Sequence, residues 1–209
     1  MAVATDFLLL FDRSKSRKEE KKKKMVLNER ESRHELVLNV ARGMMGAART
    51  APKGKGVDNL DIATISGAEN LRLLAEKMRA MSEVNGLKFF LRDALNVEQS
   101  DAVVVIGTRL GIFSLNCGMC GFATCAEKLR HPKIPCALNM IDLGIALGSA
   151  VSYAADHRID NRIMYSAGAA AQELGWVSDC RGTIAIVLSC NSKNPFFDRT
   201  AHKPEAEKP

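Results

Sequence analysis

The ten residues NCGMCGFATC, 116–125, hold three of the chain's six cysteines, Cys117, Cys120 and Cys125, and a fourth, Cys136, follows in the segment KIPC. Two, four and ten residues separate the four in turn. A C-x2-C pair lets one tight turn present two thiolates to a common centre, and a third thiolate four residues on can close the same loop over it. Gly118 and Gly121 stand directly after two of these cysteines, where a missing side chain lets the backbone turn sharply and aim its N–H groups at sulfur. Pro135 fixes the backbone before Cys136 and removes a competing donor. Four thiolates from a glycine-rich loop suit a 4Fe-4S cluster, whose large body needs a loop wrapped around it. Structural zinc also accepts four cysteines, although it usually shows two separated C-x2-C knuckles. A third reading, buried thiols without metal, leaves three cysteines in a glycine-rich turn unexplained. Cys180 and Cys190 flank the last apolar run, far from this group in sequence, and are expected to pack.

Little else in the chain offers chemistry. His34, His131, His157 and His202 are scattered, none is paired locally with a Ser or Cys nucleophile, and no hydrolase motif appears. The formal charge of +6 is unevenly placed: residues 1–24 carry eight Lys and Arg against four acids, so the remainder is only +2. A phosphate-neutralising protein needs its cations arrayed on a folded face, whereas a Lys-rich run of this kind reads as a solvated, disordered extension. Nucleic acid is therefore not an expected partner. FLLLF, 7–11, is too short for a signal sequence, no stretch reaches the ~18 apolar residues of a membrane helix, and clustered cysteines suit a reducing cytoplasm.

The elements that must position the cysteines follow from periodicity. Residues 29–50 place Leu36, Val37, Val40, Ala41, Met44 and Met45 on one helical face. APKGKGVDN breaks that helix, and LDIATIS, 60–66, has the β-branched content of a strand. A helix follows through Leu71, Leu74, Met78 and Met81, then a further helical piece at GLKFFLRDALN. DAVVVIG, 101–107, reads as a strand buried on both faces. After the cysteine segment, 111–137, MIDLGIALGSAVSYAADHRI gives a long helix with Gly144 and Gly148 on one face, packed closely against a neighbour. DNRIMYSAGAAAQELG reads as another helix, with Asp160 or Asn161 near its N-cap and Gly175 past its end. GTIAIVLS, 182–189, is a third strand. The expected class is α+β, a central mixed sheet flanked by helices, with residues 25–199 as one domain and 200–209 as a disordered tail.

With these residues in view, the chain resembles a family of uncharacterised ferredoxin-domain (4Fe-4S) proteins of anaerobic bacteria and archaea, through AARTAPKGKGVDNL, FFLRDALNV, SDAVVVIG, LNCGMCGFATC, IDLGIALGSAV, DNRIMYSAG and NPFFDR. The cysteine run is also similar to the small 4Fe-4S domain of corrinoid iron-sulfur proteins. The order of a helix, the AARTAPKGKGVDNL turn, a strand and GAENLRLLAEKM resembles the flavin-dependent nitroreductases, whose corresponding turn lies beside FMN. DLGIALGSAVSYAADHR is similar to their central dimer helix. The second resemblance implies a nitroreductase-like body with the cysteine loop inserted, a homodimer, and FMN with its phosphate near Arg30, Arg33, Arg49, Lys53, Lys55, Lys193 and Arg199. The chain departs from that pattern at Lys53, Gly56 and RESR, 30–33, and an ordinary loop with solvated lysines is the plain alternative for APKGKG.

Taken together, these readings describe a redox protein that exchanges electrons with a donor or acceptor protein. With a flavin it would be an oxidoreductase acting on a small molecule; without one it would be an electron carrier or redox sensor.

Overall fold

The computed structural model describes residues 26–177 and 179–197. The chain divides into two compact units, 1–35 and 36–209. Of the first, residues 26–35 are described. There Asn28 accepts the Arg30 N–H at 3.0 Å, and Arg33 grips Glu29 through two contacts of 2.6 and 2.8 Å. The helix α1 (Glu29–Thr50) begins in this unit.

In the second unit, α1 is followed by a short 3-10 turn (Gly54–Gly56), β1 (Leu60–Ser66), α2 (Ala68–Asn85), α3 (Phe89–Glu98) and β2 (Ala102–Arg109). After the cysteine loop come α4 (Cys125–Leu129), α5 (Ala137–Asp156), β3 (Asp160–Met164), α6 (Tyr165–Glu173) and β4 (Cys180–Ser189). The four strands form one sheet in the order β1-β2-β4-β3. Val37, Val40, Ala41 and Met44 of α1 pack with Leu143, Ala146, Leu147 and Ala150 of α5 against Val104, Ile106, Ile186 and Leu188 on one face. On the other face α2, α3 and α6 pack on Val103, Val105, Ala185 and Val187. Each fully buried large aliphatic side chain in these layers contributes about 1.5–3 kcal/mol.

Four expectations need correction. The sheet is not mixed, because every pairing in it is antiparallel. The apolar run of β2 reports helices on both faces, and burial on both faces carries no information about strand direction. Residues 160–175 are not one helix: 160–164 pair with Ala185–Ser189 as edge strand β3, and α6 starts only at Tyr165. Asp160 and Asn161 are thus strand residues rather than caps, and the N-cap position belongs to Met164. Gly175, at φ 74°, does follow the end of α6. Finally, α5 is long and apolar enough by composition to cross a membrane. Its apolar content is that of a core helix, since Leu143, Ala146, Leu147, Ala150 and Ala154 are buried against the sheet. Gly144 and Gly148 share the opposite face, and a side chain added at either would meet nothing within 4 Å, so the expected close packing is not made among the described residues.

Candidate metal centre

The first two turns of α5 anchor the segment that leaves β2. Asn139, almost wholly buried, donates to the carbonyls of Arg109 and Gly111 at 3.5 and 3.2 Å and accepts from Asn59 at 3.2 Å. Asp142 accepts the Gly54 N–H with both oxygens at 3.0 Å, which ties the APKGKG turn to the same helix. Phe113 is buried 3.2 Å from where a side chain on Gly54 would begin, and Lys55 donates to the Phe113 carbonyl at 3.3 Å. The turn therefore packs directly on the root of the cysteine loop.

From Ser114 onward the loop folds back through left-handed residues: Ser114 (φ 55°), Asn116 (47°), Gly118 (71°) and Gly121 (85°). Glycine adopts this region without penalty, and asparagine more readily than most residues. Asn116 is held there from both sides, because its side chain accepts the Cys125 N–H at 2.8 Å and its own N–H donates to the Cys125 sulfur at 3.4 Å. Thr124 caps α4 by accepting from Glu127 N–H at 3.1 Å, and the Glu127 carboxylate accepts the Ala123 N–H at 3.2 Å. Phe122 stacks on His131 with ring centres 4.9 Å apart.

This path brings Cys117, Cys120, Cys125 and Cys136 to the lining of one cavity, with Ile112, Asn116, Phe122 and Lys128 completing much of its wall. Cys117 is exposed, Cys120 and Cys125 are partly buried, and Cys136 is buried at the N-cap of α5. No side-chain hydrogen bond caps that helix. Among the described residues, no three Cys, His, Asp or Glu side chains converge tightly enough to hold one metal ion. Sequence reasoning missed Asn116, which carries no motif, and Lys128, whose only signal is a position three residues after Cys125 on the same helical face. Thr124-x-x-Glu127, by contrast, is a legible helix-start pattern.

Cys180 and Cys190 do not line that cavity. Cys180 donates to Asp61 at 3.7 Å, beside the Arg109–Asp61 ion pair. Burial, and then the Asp61 charge, push its thiol up to about 11. It lines a separate cavity of about 550 Å³ with Arg109, Gln172 and Arg181. That cavity shares Gln172 and Arg181 with another of about 360 Å³, which Met81, Met140, Tyr165 and Thr183 also line.

The cations expected around a flavin phosphate are largely engaged. The Lys53 ammonium donates to three carbonyls, Ala48, Arg49 and Ala51, at 3.1, 2.6 and 2.8 Å. One Arg49 nitrogen bonds Asp58 at 2.5 Å and the Leu60 carbonyl at 2.9 Å. Arg33 is held by Glu29, Arg30 and Lys193 are exposed, and Arg199 lies outside the described residues. In the NPFFDR segment, Arg162 of β3 donates to the Phe196 carbonyl at 3.1 Å and lies 5.5 Å over the Phe197 ring.

Residues 133–199 match a family described as "uncharacterized protein containing a ferredoxin domain". An uncharacterized protein of Archaeoglobus fulgidus is 42% identical over 187 residues, covering 86% of this chain and all of that relative. Among solved structures, the nitroreductase CinD of Lactococcus lactis in complex with nicotinic acid is similar at a TM-score of 0.53 and 11% identity, over 81% of this chain and 82% of that one. The same enzyme in complex with chloramphenicol gives 0.51 and 10%, with the same coverage. At such identity the likeness is one of fold.

Proposed function

The chain belongs to this family of proteins containing a ferredoxin domain, and from that premise we propose that it is an iron-sulfur electron-transfer protein in which Cys117, Cys120, Cys125 and Cys136 hold a 4Fe-4S cluster. One observation carries the reading: four thiols from two segments line a single cavity. Structural zinc usually takes its thiolates from two separated C-x2-C knuckles, whereas the C-x2-C-x4-C run presents three from one glycine-rich loop, as a cubane with one thiolate at each of four irons requires. The donor set fits the cluster. When bound, the cluster supplies one-electron transfer at a potential set by its hydrogen bonds and exposure.

The chain's own residues do the rest. Cys117 and Cys120 present their sulfurs from the turn that Gly118 and Gly121 shape. Asn116 accepts the Cys125 backbone N–H on its side chain and donates its own N–H to that sulfur. Cys136 comes from a separate segment, at the N-cap of α5, and half-buried Ile112 adds an apolar side chain to the same wall. All six cysteines are free thiols, which suits a reducing cytoplasm.

The nitroreductase-like fold favours a second reading, a flavin-dependent oxidoreductase with the paired cavities beside Arg181 for a small-molecule substrate; their volumes fall in the range of ligand sites. The cations of the APKGKG turn, as they stand, do not fit a phosphate, because Lys53 and Lys55 are engaged with backbone carbonyls. Heat release from anaerobically purified protein separates the two readings. Iron and sulfide in equal amounts with no flavin fluorescence leaves an electron carrier or sensor; stoichiometric flavin makes it an oxidoreductase.

A further inference from the structure

Lys128 is 3% exposed and lines the same cavity as the four cysteines. Among the described residues its ammonium forms no ion pair and no hydrogen bond. The adjacent acid does not serve it, because Glu127 is engaged with the Ala123 N–H. Its aliphatic stem is buried while the ammonium keeps some contact with water, since Thr183 Oγ1 is the one buried side-chain N or O without a partner among the described residues, and a cation so placed is best compensated by an anion beside it. The wall contains no Asp or Glu, so the only groups in it that a cation could compensate are the four cysteine sulfurs and what they hold. Helical spacing puts Lys128 on the face of α4 that carries Cys125, so the juxtaposition follows from the short helix itself.

We propose that Lys128 is the built-in counter-charge of the four-cysteine centre, compensating its negative charge and raising its midpoint potential. The proposal rests on the iron-sulfur reading above. Reduction by a one-electron donor adds one negative charge and forms or breaks no bond. A fixed positive charge in the same poorly solvated wall therefore favours the reduced state, and the attraction is stronger there than in water. Neither packing nor helix formation at this position requires a charge, and that separates a tuning role from a structural one.

The test uses full-length wild type, K128M and K128Q, reconstituted anaerobically with iron and sulfide, counted for both, and titrated with dithionite under EPR. In the neutral variants the ratio of reduced to oxidised cluster at a fixed poise is expected to fall at least tenfold, a midpoint lower by ~59 mV for one electron. K128R is expected to restore it. If K128M and K128Q fail to retain iron while K128R retains it, the charge is required for the centre to form, which also supports the proposal. Full iron and sulfide with an unchanged midpoint in both neutral variants overturns the role of Lys128 and leaves the cluster reading standing. Loss of iron in all three variants makes the position structural and overturns it too. Wild type that takes up no iron and sulfide overturns the cluster reading and the proposal together.

Discussion

Cys180 and Cys120 are the same residue type under opposite physical demands. Cys180 is held as a thiol by burial and by the neighbouring Asp61 charge, which push it to about 11. Its alkylation by iodoacetamide in the folded chain is expected to stay slow through pH 9 and to quicken toward pH 11. Asp61→Asn removes the adjacent negative charge that helps raise the thiol, so the reaction should begin at lower pH. Because the folded value lies above the ordinary 9.0, the stability gained by keeping Cys180 protonated is complete below about pH 8. It is lost as pH climbs from 9 through 11, and a pH series of thermal melts checks it. Cys120→Ser should abolish the brown colour and leave a folded core; wholesale aggregation would instead make the centre a folding staple. Cys180→Ser should keep full iron content, and loss of iron there would mean a ligand has been misassigned. At this scale the four cysteines were legible from spacing alone. Asn116 and Lys128 were not, because their roles lie in a left-handed turn and in burial, neither of which has a sequence signature.

The helix α6 meets β4 without any side chain between them at Gly168. A Cβ there would begin 2.4 Å from the Thr183 carbonyl oxygen and 2.5 Å from the Ile184 Cα. Backbone cannot yield as a flexible side chain does, so Gly168→Ala should cost about 2–3 kcal/mol or more. For a chain of this size that lowers the melting temperature by roughly 5–10 °C, readable by circular dichroism. Iron content at low temperature should be unaffected, because α6 does not touch the cysteine loop's cavity. Most elements were readable from their periods: α1, β1, α2, α3, β2 and α5 lie within a few residues of expectation. The exception, β3, is short and polar at the sheet edge, and Ile163 is exposed. Its strand character comes from pairing with β4, a long-range property that local pattern could not supply. The direction of the sheet was hidden for the same reason. The anchoring of the cysteine loop through Asn139 and Asp142 was hidden as well, since the residues they join are 28 to 88 positions away along the chain.

For the whole molecule, Ile141, Gly144, Ile145 and Gly148 form an exposed stripe on α5, opposite its core face. We expect a homodimer to bury it. Ile145→Glu should then shift sedimentation to the monomer with iron content retained, and a wild type already monomeric would withdraw the dimer. The resemblance to ferredoxin-domain proteins and to the nitroreductases was carried by motifs spread along nearly the whole chain, and so the fold-level reading held even where a strand was missed. The Lys-rich residues 1–24 and tail 200–209 lie outside the described residues. The central claim is that four thiols arranged around a shared space hold an iron-sulfur cubane. Its most direct measurement is iron and acid-labile sulfide per chain in anaerobically prepared protein, with EPR after dithionite. The account predicts about four of each and a reduced-cluster signal that disappears in Cys120→Ser. One zinc per chain without sulfide, or neither metal nor sulfide, would contradict it.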